Sequence, residues 1–275
     1  MKREIKLIVT DIDGTIANEA NIISEKVKKC FANLQENGVK VVVATGRMLP
    51  AAEIMAKRLN LNTPLIAYQG AIIQQDANSK PIWAKYVDKD CALKIIKNLK
   101  QRGVHQQVYI NDEILVEHDN DIVKAYSKKM ETGYRVVENL EVLDLSAVQK
   151  ILAIDLNPDI AFDVMQKGKE EFKEKMCITL STPYFCEFTN PLAHKGAALE
   201  FLANYYNIPI EQTMAFGDQN NDITMIKTAG IGVAVGNATD ELKKSADFVT
   251  KTIAEDGVVY AIEKFVDLGV ENVKL

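Results

Sequence analysis

Two aspartates near the N-terminus are the residues best suited to chemistry in this chain. Asp11 and Asp13 lie in the segment DIDGT at residues 11–15, directly after the apolar run at residues 5–10. That run predicts a buried strand, and the carboxyl ends of strands border the crevice in which open α/β sheets bind ligands. Burying two like charges there is costly unless a reaction uses them or a cation neutralises them. The pair therefore indicates a nucleophile, a proton-transfer group and a metal site.

Three further polar segments end predicted strands or open predicted helices. The segment TGR at 45–47 offers the Thr45 hydroxyl and a glycine, Gly46, whose backbone can approach an oxyanion closely. Lys195 lies in the first turn of a predicted helix, where its charge opposes the helix dipole, so the amine is a candidate for ligand binding. The segment GDQNND at 217–222 gathers acids and amides at a strand end, of which helix capping explains one. Each segment alone also fits an ordinary turn, cap or solvated side chain.

The charges of these segments favour a divalent cation. Up to four negative charges can come together, from Asp11, Asp13, Asp218 and Asp222. A phosphate monoester would add nearly two more, whereas Lys195 supplies one positive charge and Arg47 is a second candidate. Mg²⁺ is the usual partner of carboxylates plus a phosphate, and the three scattered histidines offer no zinc or iron site. The residues therefore predict Mg²⁺-dependent phosphoryl chemistry.

The composition describes an ordinary globular protein with no bulk attraction to polyanions. Its 275 residues are 47% hydrophobic and 26% charged, which fits one large or two modest domains. The net charge of −5 and the pI near 5.4 disfavour nucleic acid and anionic membranes as partners. The four cysteines have no metal-ligand spacing, no signal peptide opens the chain, and no apolar run approaches the ~20 residues of a membrane span. We therefore expect a cytoplasmic protein with reduced thiols.

The predicted elements divide the chain into an α/β core and an insertion. Strands and helices alternate over residues 1–82 and again over 191–275, which predicts a doubly wound, Rossmann-like parallel sheet. Between them, residues 83–190 read as an α+β domain with locally paired strands and a hairpin around 111–113. Helices are predicted near 25–37, 50–60, 88–101, 119–131, 159–173, 195–206, 221–228 and 257–267. Strands are predicted near 5–10, 39–43, 65–68, 106–110, 114–118, 148–156, 176–180, 184–188, 213–216 and 230–235.

The four polar segments, in this order, resemble the four motifs of the haloacid dehalogenase (HAD) superfamily. They are DIDGT at 11–15, TGR at 45–47, Lys195, and GDQNND at 217–222. The long insertion between the second and third motifs is similar to the cap of the Cof-type subclass (IIB). The stretches EDGVV at 255–259 and PYF at 183–185 look like its YidA-like sugar-phosphatase branch. The resemblance covers essentially the whole chain and implies a HAD-like core with an inserted cap.

The resemblance also implies roles for individual residues. Asp11 would attack phosphorus to form an aspartyl phosphate, and Asp13 would protonate the leaving group and then activate water. Mg²⁺ would be held by the Asp11 carboxylate, the Asp13 backbone carbonyl and Asp218, with Asp222 as a direct ligand or a partner of one. The phosphoryl oxygens would be bound by Ile12, Thr45, Gly46 through its N–H, Lys195 and Asn221. One departure is Gln69, which stands where the family usually has Asn.

The implied activity is hydrolysis of small phosphorylated metabolites, with sugar phosphates favoured as the substrates. A hexose phosphomutase is an alternative, although it needs a second phosphate site, and the insertion contains only two arginines, Arg102 and Arg135. A phosphatase of a phosphorylated cofactor such as FMN or pyridoxal phosphate is another. A catalytically silent metabolite sensor would be expected to lack Asp11, Asp13 or Lys195, and all three are present. The sequence predicts neither the oligomeric state nor the insertion residues that set specificity.

Overall fold

The computed structural model describes residues 2–76 and 78–267, and the chain divides into two units. The first unit contains the residues up to Thr45, the segment Ala52–Ile66 and the residues from His194 onward. The second unit contains Gly46–Ala51 and Ala67–Ala193. The division into a core of 1–82 plus 191–275 and a cap of 83–190 remains a prediction.

The strands and helices are numbered here in chain order. The strands are β1 (Leu7–Thr10), β2 (Lys40–Val43), β3 (Leu65–Ala67), β4 (Ile72–Gln74), β5 (Trp83–Ala84), β6 (His105–Ile110), β7 (Glu113–Val116), β8 (Arg135–Val136), β9 (Val148–Ile154), β10 (Cys177–Thr182), β11 (Phe185–Thr189), β12 (Thr213–Gly217), β13 (Ile231–Ala234) and β14 (Phe248–Val249). The α-helices are α1 (Glu25–Glu36), α2 (Leu49–Arg58), α3 (Lys89–Gln101), α4 (Asp121–Met130), α5 (Pro158–Phe172), α6 (Lys195–Tyr205), α7 (Ile223–Thr228), α8 (Asp240–Ser245) and α9 (Gly257–Phe265).

The first unit is built on a five-stranded parallel sheet in the order β14-β13-β12-β1-β2. Its central strands β1 and β12 are buried along their whole length, because helices cover both faces of a parallel sheet. Their register pairs Thr10 with Phe216, so both strands end at the same edge of the sheet. The loops that follow them carry the DIDGT and GDQNND segments. The predicted parallel α/β sheet is confirmed.

The connecting helix α1 illustrates how the sequence sets these elements. Ser24 accepts a hydrogen bond from the Val27 backbone N–H at 3.2 Å, as expected of an N-cap. Apolar residues at Val27, Phe31 and Leu34 form the buried face, and the chain leaves the helix at Gly38 with φ +81°. This left-handed conformation favours glycine after a helix end.

The second unit contains a six-stranded sheet in the order β10-β11-β9-β6-β7-β8. Its neighbouring strands are antiparallel, except that β7 and β8 run parallel. One face packs with α3 and α5 in an apolar core that includes Ile96, Val108, Ile151 and Phe188. Alternation along the strands places a different set on the other face, namely Gln107, Tyr109, Lys150 and Glu187. These polar side chains are also buried.

The long predicted elements are present, whereas several short ones were not predicted. The predicted helices agree with observed α-helices to within about two residues at most of their ends. The strands β4, β5, β8 and β14 have two or three residues each, and α8 has six, so none is long enough for its hydrophobic period to repeat. Within the described residues, no helix is both long and apolar enough to cross a bilayer.

Candidate active site

The acidic site of the first unit lies at the carboxyl ends of β1 and β12. Asp11 directly follows β1, and its backbone N–H donates to the Phe216 carbonyl at 2.9 Å, continuing the ladder by one residue. Asp218 directly follows β12. Both carboxylates are almost fully buried, with 6% and 4% of each residue exposed. The two acidic segments therefore lie at the same edge of the sheet.

A buried lysine joins two of the carboxylates. Lys195 Nζ donates to Asp11 Oδ1 at 2.5 Å and to Asp222 Oδ1 at 2.6 Å, and the lysine has no exposed surface. The residue opens α6, whose N-cap is His194, with Nδ1 accepting from the Ala197 N–H at 3.1 Å. A solvated surface lysine is thus excluded, and the unfavourable position near the positive helix end is offset by two carboxylates.

Asp222 also shapes the loop that precedes it. Its Oδ2 accepts the backbone N–H groups of Asp218 at 3.0 Å and Gln219 at 3.1 Å. The short 3-10 helix Asn220–Asp222 thereby gains a capping box with Gln219. Both oxygens of Asp222 are engaged by protein donors, which suits a residue that holds Lys195 and the loop in place. Asn221, a predicted phosphate ligand, is half-buried on this same turn.

The Asp218 carboxylate is held by the loop that follows β1 and by its own neighbour in sequence. Thr15 Oγ1 donates to Asp218 Oδ1 at 3.2 Å, and Gln219 Nε2 donates to Oδ2 at 3.0 Å. Gly14 has φ +82°, and a Cβ on this residue would lie 2.4 Å from Asp218 Oδ2. Glycine is therefore required here both for its backbone conformation and for the space it leaves. Thr15 and Gln219 lie within the motif segments, but the sequence does not predict a role for either.

Three carboxylates are close enough to share a cation. Among the described residues, one group of potential metal ligands has this spacing: oxygens of Asp11, Asp218 and Asp222 within 4.8 Å of one another. Opposite ligands of an octahedral Mg²⁺ lie about 4.2 Å apart, which is within this limit. If all three are ionised, Lys195 leaves two negative charges unbalanced, and a divalent cation would neutralise them. The donor set therefore fits Mg²⁺.

Burial and neighbouring charges together shift the pKa values of Asp11, Asp218 and Lys195. Burial, reinforced by the charges of Asp222 and Asp218, raises the pKa of Asp11 well above its ordinary value, although Lys195 opposes the rise. Burial and the charge of Asp222 raise the pKa of Asp218 to about 6. Burial alone would lower the pKa of Lys195, but the Asp11 and Asp222 charges raise it, so the ammonium is retained at neutral pH. A bound cation would favour the ionised carboxylates.

The remaining predicted residues have different positions. Asp13 is half-buried, and its side chain lies outside the carboxylate group formed by the other three acids within the described residues. Ile12 is buried, and its carbonyl accepts three N–H groups in the turn after β1. Thr45 is buried after β2 in the first unit, whereas Gly46 and the buried Arg47 belong to the second. The assigned roles of these residues remain predictions.

Comparison with known proteins identifies the family. The family model described as haloacid dehalogenase-like hydrolase matches residues 8–262. The chain belongs to this family. The resemblance inferred from the four motifs is confirmed, and the protein is a HAD-superfamily hydrolase, an enzyme of the phosphatase type.

Similar proteins are known from several bacteria. The 5-amino-6-(5-phospho-D-ribitylamino)uracil phosphatase YcsE of Bacillus subtilis is 32% identical over 265 residues, which cover 96% of each chain. Phosphatase YwpJ of the same organism is 28% identical over 283 residues, covering 94% of this chain and 99% of YwpJ. The structure of TM0651 from Thermotoga maritima has a TM-score of 0.82 at 34% identity, covering 96% of this chain and 98% of that one. These likenesses extend over both units.

Proposed function

We propose that the protein is a Mg²⁺-dependent phosphatase of small phosphorylated metabolites that acts through an aspartyl phosphate on Asp11. The observation that carries this proposal is the buried cluster in which Lys195 joins Asp11 to Asp222 beside Asp218. A purely structural role explains such a cluster poorly, because buried carboxylates in excess of cations destabilise a fold. Phosphoryl transfer uses each member of the cluster.

Asp11, Asp218 and the Asp13 backbone carbonyl would hold the Mg²⁺, with Asp222 fixing Lys195 and the loop. When bound, Mg²⁺ neutralises charge on the phosphoryl oxygens and thereby stabilises the transition state. Lys195 lowers the pKa of Asp11 against the effect of burial and contributes a further positive charge at phosphorus. Thr45, the Gly46 N–H, Ile12 and Asn221 would bind the remaining oxygens. This assignment is consistent with the position of Asp11 and Asp218 at adjacent strand ends.

The reaction would proceed in two steps, with Asp11 as the nucleophile and Asp13 as the proton-transfer group. An Asp11 carboxylate oxygen forms a bond to phosphorus while the bond from phosphorus to the leaving oxygen breaks, and that oxygen takes a proton from Asp13. A water molecule then attacks phosphorus, Asp13 takes its proton, and the Asp11 carboxylate is released with inorganic phosphate. Asp13 lies outside the carboxylate cluster, which leaves it available for proton transfer.

Sugar phosphates are the leading substrate class, and a phosphorylated ribityl chain is the second. The sequence resemblance favours sugar phosphates, whereas the relative YcsE is named for a 5-phospho-D-ribitylamino compound. Both classes present a phosphate monoester on a polyhydroxylated molecule. Free phosphate release separates hydrolysis from mutase chemistry, which would instead convert glucose 1-phosphate to glucose 6-phosphate.

The test is a Mg²⁺-supplemented screen of sugar phosphates, the phosphoribityl compound, FMN, pyridoxal phosphate and nucleotides, ranked by kcat/KM. Asp11→Asn is the negative control and should lower turnover by at least about a thousandfold, because it removes the nucleophile. Asp121→Asn, an exposed residue of α4, is the matched control and should be fully active. Appreciable turnover by Asp11→Asn would refute the covalent route, and inactivity of the native protein on every ester would refute the function.

A further inference from the structure

A second buried ion pair lies in the second unit, and the proposed chemistry does not use it. Lys150 on β9 and Glu187 on β11 are diagonal neighbours, since Glu187 pairs with Leu152 in the register. Lys150 Nζ lies 3.1 Å from Glu187 Oε2, and their side chains are 1% and 4% exposed. Burial alone would lower the pKa of Lys150, but Glu187 raises it, so the amine is charged. Such a pair contributes little net stability compared with apolar residues.

The ammonium of this pair binds a backbone carbonyl in the TGR segment. Lys150 Nζ donates to the Gly46 carbonyl oxygen at 2.6 Å and lies 4.8 Å from the centre of the Tyr109 ring. The carbonyl is 104 residues away in sequence, so the contact joins β9 to the turn after β2. A charged donor makes a stronger hydrogen bond than a neutral one.

The Cα of Gly46 is enclosed by the same group of side chains. A Cβ on Gly46 would lie 2.4 Å from Gln69 Nε2 and 3.3 Å from Glu187 Oε1. Gln69 is buried at φ +61°, and the preceding Tyr68 has φ +51° and donates its N–H to the Arg47 carbonyl at 2.9 Å. Two consecutive residues in the left-handed region carry strain that the surrounding contacts must offset. Glycine has more backbone freedom than other residues, and these contacts restrict that freedom at Gly46.

We propose that Lys150 is a positioning residue, held by Glu187, that fixes the Gly46 peptide and so orients the Thr45–Gly46 segment for phosphate. The inference rests on the proposed function, in which the Gly46 N–H binds a phosphoryl oxygen. Lys150 acts on the phosphate through Gly46 and makes no contact with the leaving group. Its removal should therefore weaken every phosphate ligand equally, whatever the rest of the substrate.

The kinetic test compares Lys150→Met with Lys128→Met, an exposed lysine of α4. The inhibition constant of inorganic phosphate should rise about tenfold to a hundredfold in Lys150→Met, because small displacements of binding groups have effects of this size. The kcat/KM values for a sugar phosphate and for p-nitrophenyl phosphate should fall by the same factor. Lys150→Arg should recover part of the loss, and Lys128→Met should show none.

Two results would overturn the proposal. A loss confined to sugar phosphates, with phosphate inhibition unchanged, would make Lys150 a residue that recognises the leaving group. Unchanged kinetics in a folded Lys150→Met would make the contact irrelevant to phosphate.

The double variant Lys150→Met/Glu187→Gln separates positioning from stability. Lys150→Met alone leaves an unpaired buried carboxylate and should lower Tm, whereas the double variant removes that charge and should recover Tm. Positioning predicts that phosphate affinity stays low in the double variant. Recovery of both Tm and affinity would show that the lysine had only a structural role.

A spectroscopic measurement observes the peptide itself and does not depend on turnover. The sequence contains two Thr-Gly pairs, 45–46 and 132–133, so ¹³C-carbonyl threonine with ¹⁵N-glycine gives two selected amide signals. Lys150→Met should shift the Gly46 signal without ligand and leave that of the exposed Gly133 in place. An unmoved Gly46 signal would refute the contact. A Gly46 signal that moves in the variant but does not respond to phosphate in the native protein would refute only its phosphate role.

Discussion

Lys195 forms ion pairs with two carboxylates of the acidic cluster, and the stability of that cluster depends on it. Lys195→Met would leave the buried carboxyl groups of Asp11 and Asp222 without the ammonium that bonds to both. We expect Tm in EDTA at pH 7.5 to fall on the order of 10 °C, since breaking a buried ion pair costs about 3–5 kcal/mol. Calorimetry measures the change, and Mg²⁺ should restore part of it.

The matched control for this substitution is Lys227→Met, an exposed lysine in the last turn of α7. Its Tm should remain within about 2 °C of the native value, because surface substitutions have small effects. A Lys195→Met protein as stable as this control would mean that the carboxylates are already neutral in the metal-free protein.

Asp13 has a different expected signature, because its role is proton transfer. Asp13→Asn should lower kcat about 10²- to 10⁴-fold for a sugar phosphate, whose alkoxide leaves poorly without a proton. The loss should be much smaller for p-nitrophenyl phosphate, whose leaving group is stable as an anion. Rapid-quench kinetics with both substrates measures the two factors. Equal losses would argue against the acid role.

At the residue scale, charge balance predicted the cluster but could not predict its internal contacts. Two acidic segments and one misplaced lysine were enough to expect Asp11, Asp218 and Lys195 together. The different roles of Asp218 and Asp222 depend on which donors their carboxylate oxygens accept from. Asp222 accepts from Lys195 and from the Asp218 N–H, and these contacts form only in the folded loop. The Thr15 hydroxyl was not predicted, because a threonine after a glycine also fits an ordinary turn.

At the scale of elements, the loop after β1 connects backbone conformation to the acidic site. Gly14 and Gly38 have nearly equal left-handed φ angles, +82° and +81°, but only at Gly14 would a Cβ meet Asp218. Gly14→Ala should therefore displace the Asp218 carboxylate and raise the Mg²⁺ concentration needed for half-maximal activity by about tenfold or more.

Gly38→Ala is the control for backbone strain, because nothing lies within 4 Å of an added Cβ there. It should cost about 1 kcal/mol of stability and leave the Mg²⁺ dependence unchanged. Mg²⁺ titrations of activity compare the two variants. An equal Mg²⁺ dependence in both would show that strain, and not the contact with Asp218, determines the effect.

Helices and strands were predictable where they are long enough for the hydrophobic period to repeat. Helix α1 has a cap, an apolar face and a terminating glycine, and its predicted bounds differ from the observed ones by one residue. Glu113 was assigned to a turn but begins β7, because the hairpin turns on Asn111 and Asp112 alone, both with positive φ. The pairing of Lys150 with Gly46 spans 104 residues, and no local pattern encodes such a contact.

At the scale of the whole molecule, the acidic site links metal binding to stability and pH. Burial raises the pKa of Asp218 in the folded protein to about 6, above the ~3.9 of an unfolded aspartate. Between these two pH values, the metal-free folded state therefore binds more protons than the unfolded state. The stability from this group is fully present below pH about 4 and is lost as the pH rises through about 6.

Mg²⁺ should reverse this dependence, since it requires the ionised carboxylate. We expect the rise in Tm caused by 10 mM Mg²⁺ to be larger at pH 7.5 than at pH 5.0, as measured by differential scanning fluorimetry. Asp218→Asn, which cannot ionise, should lose most of the Mg²⁺ effect at both pH values. A Mg²⁺ effect that is equal at the two pH values, or that survives in Asp218→Asn, would contradict metal binding through this carboxylate. The metal ion and protons compete for the same carboxylates. The titration therefore tests the charge balance of the acidic cluster without any substrate.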